Sequence, residues 1–237
     1  MRENLNENQR LRPPAPKTQP NYDTPDYRSS SLRAPRQPLL AFPYGRTEAT
    51  GPRFSEAHFP PMADLSRKDG ADAQGQRIIV AGSVTDEDGR PVPEVMVELW
   101  QANAAGRYRH AVDQHDAPLD PAFEDRGRVF TDEAGNYRFV SIRPGSYPWR
   151  NHANAWRPSH IHFSLFGPSF AQRLITQMYF EGDPLLGLDP IFNSVPDRAA
   201  RERLVARFDI SLTEPEWAHG YRFEIVLRGH GATPMGN

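Results

Sequence analysis

Short apolar runs separated by turn-forming residues fill the chain from Gln76 onward, and this pattern limits the fold more than any other feature. Val95, Val97 and Leu99 repeat at period two, which is typical of a half-buried strand. Turn-forming Asp, Asn and Gly separate such runs. Predicted strands cover residues 77–84, 92–100, 137–142, 160–165, 174–180, 208–212 and 221–227. Many short strands joined by turns predict an all-β protein, an antiparallel β-sandwich.

One stretch, residues 196–206, has a helical pattern instead. Ser194 could cap such a helix, and Ala200, Leu204 and Phe208 repeat at a spacing of four. The sequence therefore predicts one short helix beside the sandwich.

The N-terminal third has a different composition, since eleven of the 24 prolines precede Met62. Proline lacks the backbone N–H and disfavours a helical residue before it, so this region cannot form helices or central strands. It also carries apolar residues that an unattached linker would not need: Leu39, Leu40, Phe42, Phe54 and Phe59. We expect residues 1–75 to form an extended arm that packs on its own or a partner surface, with disorder confined to residues 1–15, and residues 76–237 to form one catalytic domain.

Composition excludes several classes of protein. The absence of cysteine removes disulfides, thiolate nucleophiles and cysteine-ligated zinc or iron–sulfur sites, so any metal must be held by nitrogen and oxygen. A formal charge of -2 gives no reason to expect nucleic acid as a partner. The chain has no apolar run of membrane-spanning length, and its first twelve residues are too polar for a signal peptide, so we expect a cytoplasmic protein with no membrane partner.

Two histidines and two tyrosines are the candidate metal ligands. His160 and His162 lie two apart on a predicted strand, so both imidazoles point to the same face while Ile161 points to the other. Tyr108 and Tyr147 each follow a predicted strand, in loops that contain glycine. Taken singly, each of these residues is more often structural. Two phenolates together with two imidazoles suit a trivalent iron better than zinc or magnesium, and the charge of the metal favours ionisation of a phenol whose ordinary pKa is about 10.

Arg157 stands just ahead of the two histidines. A guanidinium held near a metal could stabilise negative charge that develops on a bound substrate. A surface or salt-bridged arginine is the alternative that its position alone leaves open.

Six stretches, taken as a set and in this order, resemble the intradiol ring-cleavage dioxygenases. They are residues 99–103 (LWQAN), 106–110 (GRYRH), 144–149 (PGSYPW), 156–163 (WRPSHIHF), 176–184 (TQMYFEGDP) and 221–229 (YRFEIVLRG). The resemblance extends over nearly the whole chain from about Thr24. It is strongest to the iron-binding β chain of the two-chain members of the family, whose related α chain lacks the iron ligands.

The resemblance implies a function and a role for each site residue. It implies cleavage of protocatechuate by dioxygen at a non-haem Fe(III), giving 3-carboxy-cis,cis-muconate, in a hetero-oligomer with a homologous α chain. The implied roles are as follows: Tyr108, Tyr147, His160 and His162 hold the iron; Tyr147 is the ligand that leaves when substrate binds; Arg157 and Gln177 assist catalysis; and Tyr27, Trp149 and Ile191 contact the substrate.

Three alternatives stay open at this point. A non-enzymatic transthyretin-like or immunoglobulin-like binding module could have the same sandwich, but it gives no reason for two tyrosines and two histidines to converge. The same chemistry could act on catechol, hydroxyquinol or a substituted catechol. A homo-oligomer could replace the pair of unlike chains.

Overall fold

The protein is composed mainly of strands. A computed structural model describes residues 13–38, 54–167 and 173–236. Within these residues the strands are β1 (Arg67–Lys68), β2 (Ala71–Asp72), β3 (Arg77–Thr85), β4 (Met96–Trp100), β5 (Arg126–Phe130), β6 (Asn136–Ile142), β7 (Tyr147–Pro148), β8 (Trp156–Arg157), β9 (His160–Phe166), β10 (Arg173–Phe180), β11 (Val205–Phe208), β12 (His219–Arg222) and β13 (Ile225–Val226). The helical elements are Ser30–Arg33, Pro190–Asn193 and Arg198–Glu202, with a 3-10 turn at Leu186–Leu188.

Eight strands follow one hydrogen-bonded path that folds over on itself to make two layers, and a ninth branches from it. The order is β13-β3-β12-β11-β10-β9-β4-β5, and β6 pairs with β3. Strand β11 connects the layers, because its first half pairs with β10 and its second half with β12. The main apolar core lies between the layers and draws on β3, β4, β6, β9 and β10. The predicted all-β sandwich is therefore confirmed.

Strand β9 shows how the sandwich separates the core from the other face of the sheet. Ile161, Phe163 and Leu165 belong to the core cluster between the layers. Since successive side chains alternate, His160 and His162 lie on the opposite face of the same strand. The core thus determines which way both imidazoles point.

Not all strand pairs are antiparallel, which departs from the predicted architecture. Strand β10 pairs with β11 in parallel, and both β12 and β13 pair with β3 in parallel. A parallel pair needs a long crossover connection, and residues 181–204 supply one between β10 and β11. The helices Pro190–Asn193 and Arg198–Glu202 lie in that crossover.

The predicted helix at residues 196–206 is wrong at both ends. The helix is Arg198–Glu202, and its N-terminal cap is Asp197, whose side chain accepts a hydrogen bond from the Ala200 N–H at 2.7 Å. It stops early because Val205 and the residue after it pair with β10, and such tertiary pairing overrides a local helical spacing. The structure also contains helical elements that the sequence did not predict, at Ser30–Arg33 and in residues 186–193.

Four predicted strands agree with the structure to within one residue, and three differ by more. The strand predicted at residues 208–212 is β11, which ends at Phe208 and is followed by a turn. The strand predicted at 92–100 begins only at Met96, because Glu94 has a left-handed backbone with φ of 57°. The stretch 221–227 contains the end of β12 and the separate strand β13.

The described parts of the N-terminal region lie against the same chain. The Asn21 N–H donates to the Ser194 carbonyl at 3.0 Å, and the Lys17 carbonyl accepts from the Asp197 N–H at 3.0 Å. The ring of Phe54 lies 4.5 Å from that of Phe166 at the end of β9. The predicted anchors Leu39, Leu40 and Phe42 lie outside the described residues, as do residues 1–12 of the stretch expected to be disordered.

No helix among the described residues is both long enough and apolar enough to span a bilayer.

Candidate metal centre and active site

His160 and His162 form the base of the candidate site, on the face of β9 turned away from the core. The His160 Nδ1–H donates to the Pro158 carbonyl at 2.7 Å, which makes Nε2 the unprotonated nitrogen that can accept. The ring of His162 stacks on Trp100 of the neighbouring strand, 4.8 Å away and tilted by only 4°. A fixed tautomer and a fixed ring plane are typical of metal-ligating histidines.

The two tyrosines come from two loops that dock on each other through glycine. Gly106 has φ of 77°, and a Cβ on it would overlap the carbonyl oxygen of Ser146, next to Tyr147. Gly145 is equally close to the backbone of Ala104, so neither position has room for a side chain. This close approach of the loops brings Tyr108 to Tyr147, with ring centroids 5.4 Å apart and nearly perpendicular planes.

The four side chains converge on one point. The Tyr147 hydroxyl lies 3.3 Å from His160 Nε2, the two imidazole centroids are 4.9 Å apart, and the Tyr108 ring is 6.4 Å from that of His162. The Tyr108 hydroxyl is buried and has no hydrogen-bond partner among the described residues. An unpartnered buried hydroxyl is costly, so this oxygen is suited to a ligand that the protein itself does not provide.

Burial shifts the pKa values of the two histidines in the direction that favours metal binding, and the pKa of Tyr108 in the direction that opposes it. Burial lowers the pKa of His160 well below its ordinary value, helped by Arg157, and burial together with Arg157 lowers the pKa of His162 to about 3. Both imidazoles are therefore neutral at pH 7, as ligands must be. Burial raises the pKa of Tyr108 well above its ordinary value, with a further contribution from Tyr147. Ionisation of Tyr108 accordingly requires a nearby cation, and a metal supplies one.

Arg157 is buried beside the four side chains. Its Nη1–H donates to His160 Nε2 at 3.1 Å, and Nη1 is 3.5 Å from the Tyr147 hydroxyl. Its Nη2 lies 2.7 Å from Asp189 Oδ2 and 2.8 Å from Gln177 Oε1. The side chains of Arg157 and Asp189 are 2% and 0% exposed. Arg157 is therefore not a surface residue. It forms a salt bridge with Asp189 and also lies beside the four candidate ligands.

The donor set itself fits a ferric ion. Among residues 13–38, 54–167 and 173–236, no three His, Asp or Glu side chains are placed to hold a metal ion together. The hydroxyl of Tyr147, by contrast, lies 3.3 Å from His160 Nε2, and the ring of Tyr108 lies beside that of His162. Two hard anionic oxygens and two imidazole nitrogens suit trivalent iron.

Comparison with known proteins identifies the family. Residues 49–229 match the family described as Dioxygenase, and residues 12–44 match the N-terminal segment of protocatechuate 3,4-dioxygenase beta subunits. The protocatechuate 3,4-dioxygenase beta chain of Burkholderia cepacia is 54% identical over 220 residues, which is 91% of this chain and 93% of that one. The chain belongs to the intradiol dioxygenase family. The predicted family and enzyme class are thereby confirmed.

More distant relatives place this dioxygenase within its family. The protocatechuate 3,4-dioxygenase alpha chain of Pseudomonas putida is 32% identical over 164 residues, covering 68% of this chain and 76% of that one. The solved dioxygenase domain of a carbohydrate-binding fusion protein from Streptomyces sp. SirexAA-E superposes with a TM-score of 0.51 at 25% identity, covering 76% of this chain and 95% of that one. The all-β sandwich is thus the fold of the family.

A cavity of about 980 Å³ opens beside the four candidate ligands of this dioxygenase, and three of the four line it. Tyr108, Tyr147, His162 and Trp149 all border it. Since a single aromatic ring needs much less space, the cavity can admit a substrate and still leave an open mouth.

The remaining predicted site residues surround the cluster but do not line this cavity. Gln177 and Ile191 are buried behind Arg157 and Asp189 respectively. Tyr27 lies against the far side of the pocket wall, with its ring 4.9 Å from that of Trp149. The Arg157 guanidinium lies 5.3 Å from the Trp149 ring. Trp149 therefore contacts both Tyr27 and Arg157.

Sequence reasoning missed three residues of this site: Asp189, Tyr179 and Trp100. Asp189 followed by Pro190 is a helix-start signal, and that capping pattern could have drawn attention to it. Tyr179 lies two residues after Gln177, so it shares the same strand face, and its hydroxyl accepts from Arg157 Nη2 at 3.1 Å. Trp100 has no local signal, because its contact with His162 depends on the register of β4 against β9.

Proposed function

We propose that this dioxygenase cleaves protocatechuate between its two hydroxyl-bearing carbons with dioxygen, giving 3-carboxy-cis,cis-muconate in the breakdown of aromatic compounds. The observation that carries the proposal is the convergence of two tyrosines and two histidines beside a buried arginine. The choice of protocatechuate over catechol is supported by the relative that is 54% identical over nearly its whole length.

The proposed cofactor is a non-haem Fe(III) held by Tyr108, Tyr147, His160 and His162. The hydroxyl of Tyr108, which has no partner among the described residues, and the unprotonated Nε2 of His160 support this set. Bound ferric iron would act as a Lewis acid that binds the catechol oxygens and draws electron density out of the ring. Two phenolates also offset most of the charge of a trivalent ion, which lowers the cost of placing it in a buried site.

Tyr147 would act as the base toward the substrate. Both tyrosines are half-buried and border the cavity, but the Tyr147 hydroxyl lies 3.3 Å from His160 Nε2, whereas the Tyr108 hydroxyl is buried without a partner among the described residues. A phenolate at Tyr147 Oη could accept one of the two hydroxyl protons of the substrate. Tyr108 would stay in place throughout.

Arg157 would stabilise the negative charge that develops on the ring. Its Nη1 points to the space between His160 and Tyr147, where the substrate oxygens must come. A preorganised charged donor in a site from which water is excluded stabilises a developing anion at no cost of reorganisation during the reaction.

Four further residues would hold the substrate. We propose that Trp149 and Ile191 shape the ring pocket, that Gln177 places the substrate through its contact with Arg157, and that Tyr27 contributes to the recognition of the carboxylate. In support, Tyr27 packs on Trp149, and the Arg33 guanidinium lies 4.8 Å from the Tyr27 ring. A cation beside this ring is favourable for a carboxylated substrate.

We further propose that residues 1–75 are the arm of a catalytic domain at 76–237, and that a homologous α chain pairs with this chain. The alpha chain of Pseudomonas putida is a relative by sequence, and Leu32 on the arm is 82% exposed. A stable pair of unlike chains should bury more than about 2,000 Å² around an apolar centre. The homo-oligomer is the alternative.

The test of the chemistry is the colour, metal content and product of the purified protein. Tyrosinate bound to Fe(III) should give a red-brown protein with about one iron per chain, whose absorption changes when protocatechuate is added without oxygen. With oxygen, protocatechuate should give 3-carboxy-cis,cis-muconate faster than catechol gives its own ring-opened product. A colourless protein that contains stoichiometric iron would contradict the proposed ligand set. Faster turnover of catechol would contradict protocatechuate as the substrate.

The test of the partnership is to express this chain alone and together with a homologous α chain. We expect the single chain to be poorly soluble or low in iron, and the co-expressed pair to be soluble and active. A soluble, iron-loaded and fully active single chain would contradict the proposed pair.

A further inference from the structure

The carboxylate of Asp189 contacts the Arg157 guanidinium at two nitrogens, one of which also donates to Gln177 and Tyr179. Arg157 Nη2 lies 2.7 Å from Asp189 Oδ2, and its Nε–H donates to Oδ1 at 3.3 Å, so the contact is bidentate. A bidentate pair fixes both the position and the plane of a guanidinium. With Nε and Nη2 held, Nη1 is the nitrogen left to face His160 Nε2 and the Tyr147 hydroxyl.

Asp189 is itself held rigidly by the backbone around it. Its Oδ1 accepts from the Ile191 N–H at 3.2 Å and caps the helix Pro190–Asn193. The Asn193 side chain and N–H donate to its carbonyl oxygen at 2.9 and 3.0 Å. The carboxylate therefore has little freedom to follow Arg157, and the direction of the arginine is set from the helix.

Charge gives a second reason for the pair. A lone buried cation is strongly disfavoured, and more so beside a metal ion, unless a counter-charge accompanies it. Asp189 makes the pair neutral as a whole, which allows a cation to be placed within hydrogen-bond distance of a candidate iron ligand.

We propose that Asp189 is a positioning residue for the dioxygenase reaction: it holds Arg157 with Nη1 directed at the reacting substrate. The inference rests on the proposed function, because that function is what gives Arg157 a role in the chemistry. It goes beyond the predicted site, in which Asp189 had no role.

The experiment uses the full chain purified with its partner chain and compares Asp189→Asn, Arg157→Leu and the double variant. Asp197→Asn is a matched control, because Asp197 caps the next helix in the same way but does not touch Arg157. We expect Asp189→Asn to lower kcat by about ten- to a hundredfold while KM changes by less than about threefold. Asp197→Asn should leave both constants close to those of the wild type.

The double variant tests whether Asp189 acts through Arg157. If it does, the double variant should be no slower than Arg157→Leu alone, since the second substitution has nothing left to position. Each single variant leaves one buried charge unpaired, so the iron-free double variant should also unfold at a higher temperature than either single variant. Iron content per chain should remain equal in Asp189→Asn and Asp197→Asn.

Three results would overturn the inference. One is a kcat of Asp189→Asn equal to that of the wild type. Another is an equal loss of kcat in Asp197→Asn, which would show that the effect comes from helix capping alone. The third is a double variant slower than Arg157→Leu by the full factor of Asp189→Asn, since independent effects multiply. A failure of the proposed function would instead appear in the wild-type enzyme, as missing iron or missing turnover.

Discussion

Strands β9 and β10 present two faces that are equally buried and chemically opposite. The inner face carries Phe163 and Met178, and the outer face carries His160 and Gln177, all of them buried. The inner side chains are satisfied by packing alone. The outer ones have polar partners, and both His160 and Gln177 accept a hydrogen bond from Arg157. Burial alone therefore does not distinguish residues that stabilise the fold from residues of the candidate site. The kind of contact does, because the former pack against apolar side chains and the latter form hydrogen bonds.

Removing packing from the inner face should have the largest effect on stability. Phe163 is fully buried and lies near the rings of Tyr137, Phe139 and Phe223. Phe163→Ala should cost about 3–5 kcal/mol of the free energy of unfolding, through lost burial and the cavity left behind. Urea unfolding of the iron-free protein measures it. A loss below about 1 kcal/mol would mean that the inner face does not carry the stability of the fold.

Removing the charge from the outer face should mainly affect turnover. Arg157→Leu should lower kcat on the order of a hundredfold, the typical effect of deleting one charged stabiliser. It should also destabilise the iron-free protein, because the Asp189 carboxylate is left buried without its counter-charge. Steady-state kinetics at saturating protocatechuate, with iron content as the control, measures the first effect. Unchanged turnover in an iron-loaded variant would show that Arg157 is structural.

Removal of the Tyr108 hydroxyl should raise the stability of the iron-free protein, in contrast to the two substitutions above. Tyr108→Phe removes a buried oxygen that has no partner among the described residues, so the iron-free protein should gain about 1–2 kcal/mol. The same variant should bind less iron. Chemical unfolding of the iron-free protein measures the change in stability. Metal analysis of the iron-loaded protein measures the change in iron content. A less stable iron-free variant would indicate that the hydroxyl has a partner within the protein.

A smaller effect is expected where the arm meets the loop after Tyr147. The Ser29 N–H donates to Asn151 Oδ1 at 3.0 Å, Asn151 Nδ2–H donates to Ser29 Oγ at 2.7 Å, and the Arg28 N–H donates to the Asn151 carbonyl at 2.9 Å. Asn151→Ala removes the two side-chain bonds, worth about 1 kcal/mol each.

The loosened arm should raise KM for protocatechuate several-fold, because Tyr27 packs on Trp149 beside this contact. KM for catechol, which has no carboxylate, should change less. Equal changes for both substrates would show that the arm does not recognise the carboxylate.

The smallest effect should come from an exposed polar cluster, which lies in water and not against the core. Hydrogen bonds from Ser211 and Arg222 lower the pKa of Asp209 to about 2. Its carboxylate therefore stabilises the folded state above pH 3.8, the ordinary value, and this contribution is lost as the pH falls toward 2. Asp209→Asn should lower the thermal midpoint slightly at pH 7, and the difference from wild type should vanish near pH 2. A difference that persists at that pH would contradict this account.

Much of the site could be predicted from local pattern. The His-x-His spacing placed both imidazoles on one strand face, and the core residue Ile161 between them determined which face. Glycines in the two tyrosine loops were visible as turn residues. Their second role, the close approach of one loop to the other, depends on how the loops meet in space.

The errors in secondary structure have a common cause. The spacing of Ala200, Leu204 and Phe208 favours a helix, but the residues after Leu204 take their hydrogen bonds from β10. Strand pairing between residues distant in sequence outweighs a local preference of a few tenths of a kcal/mol per residue. The antiparallel expectation failed for the same reason, since parallel pairing is set by a crossover.

The sequence by itself determined the strand-rich fold and the residue types available for a nitrogen and oxygen metal site, because alternation and composition are local properties. Only the tertiary structure decided that Asp189 would meet Arg157, since a crossover brings them together and no periodicity records such a contact. It also decided that the Tyr108 hydroxyl would be left without a partner among the described residues. A missing partner is a property of the surroundings in three dimensions, and it is this property that supports our proposal of the oxygen as a metal ligand.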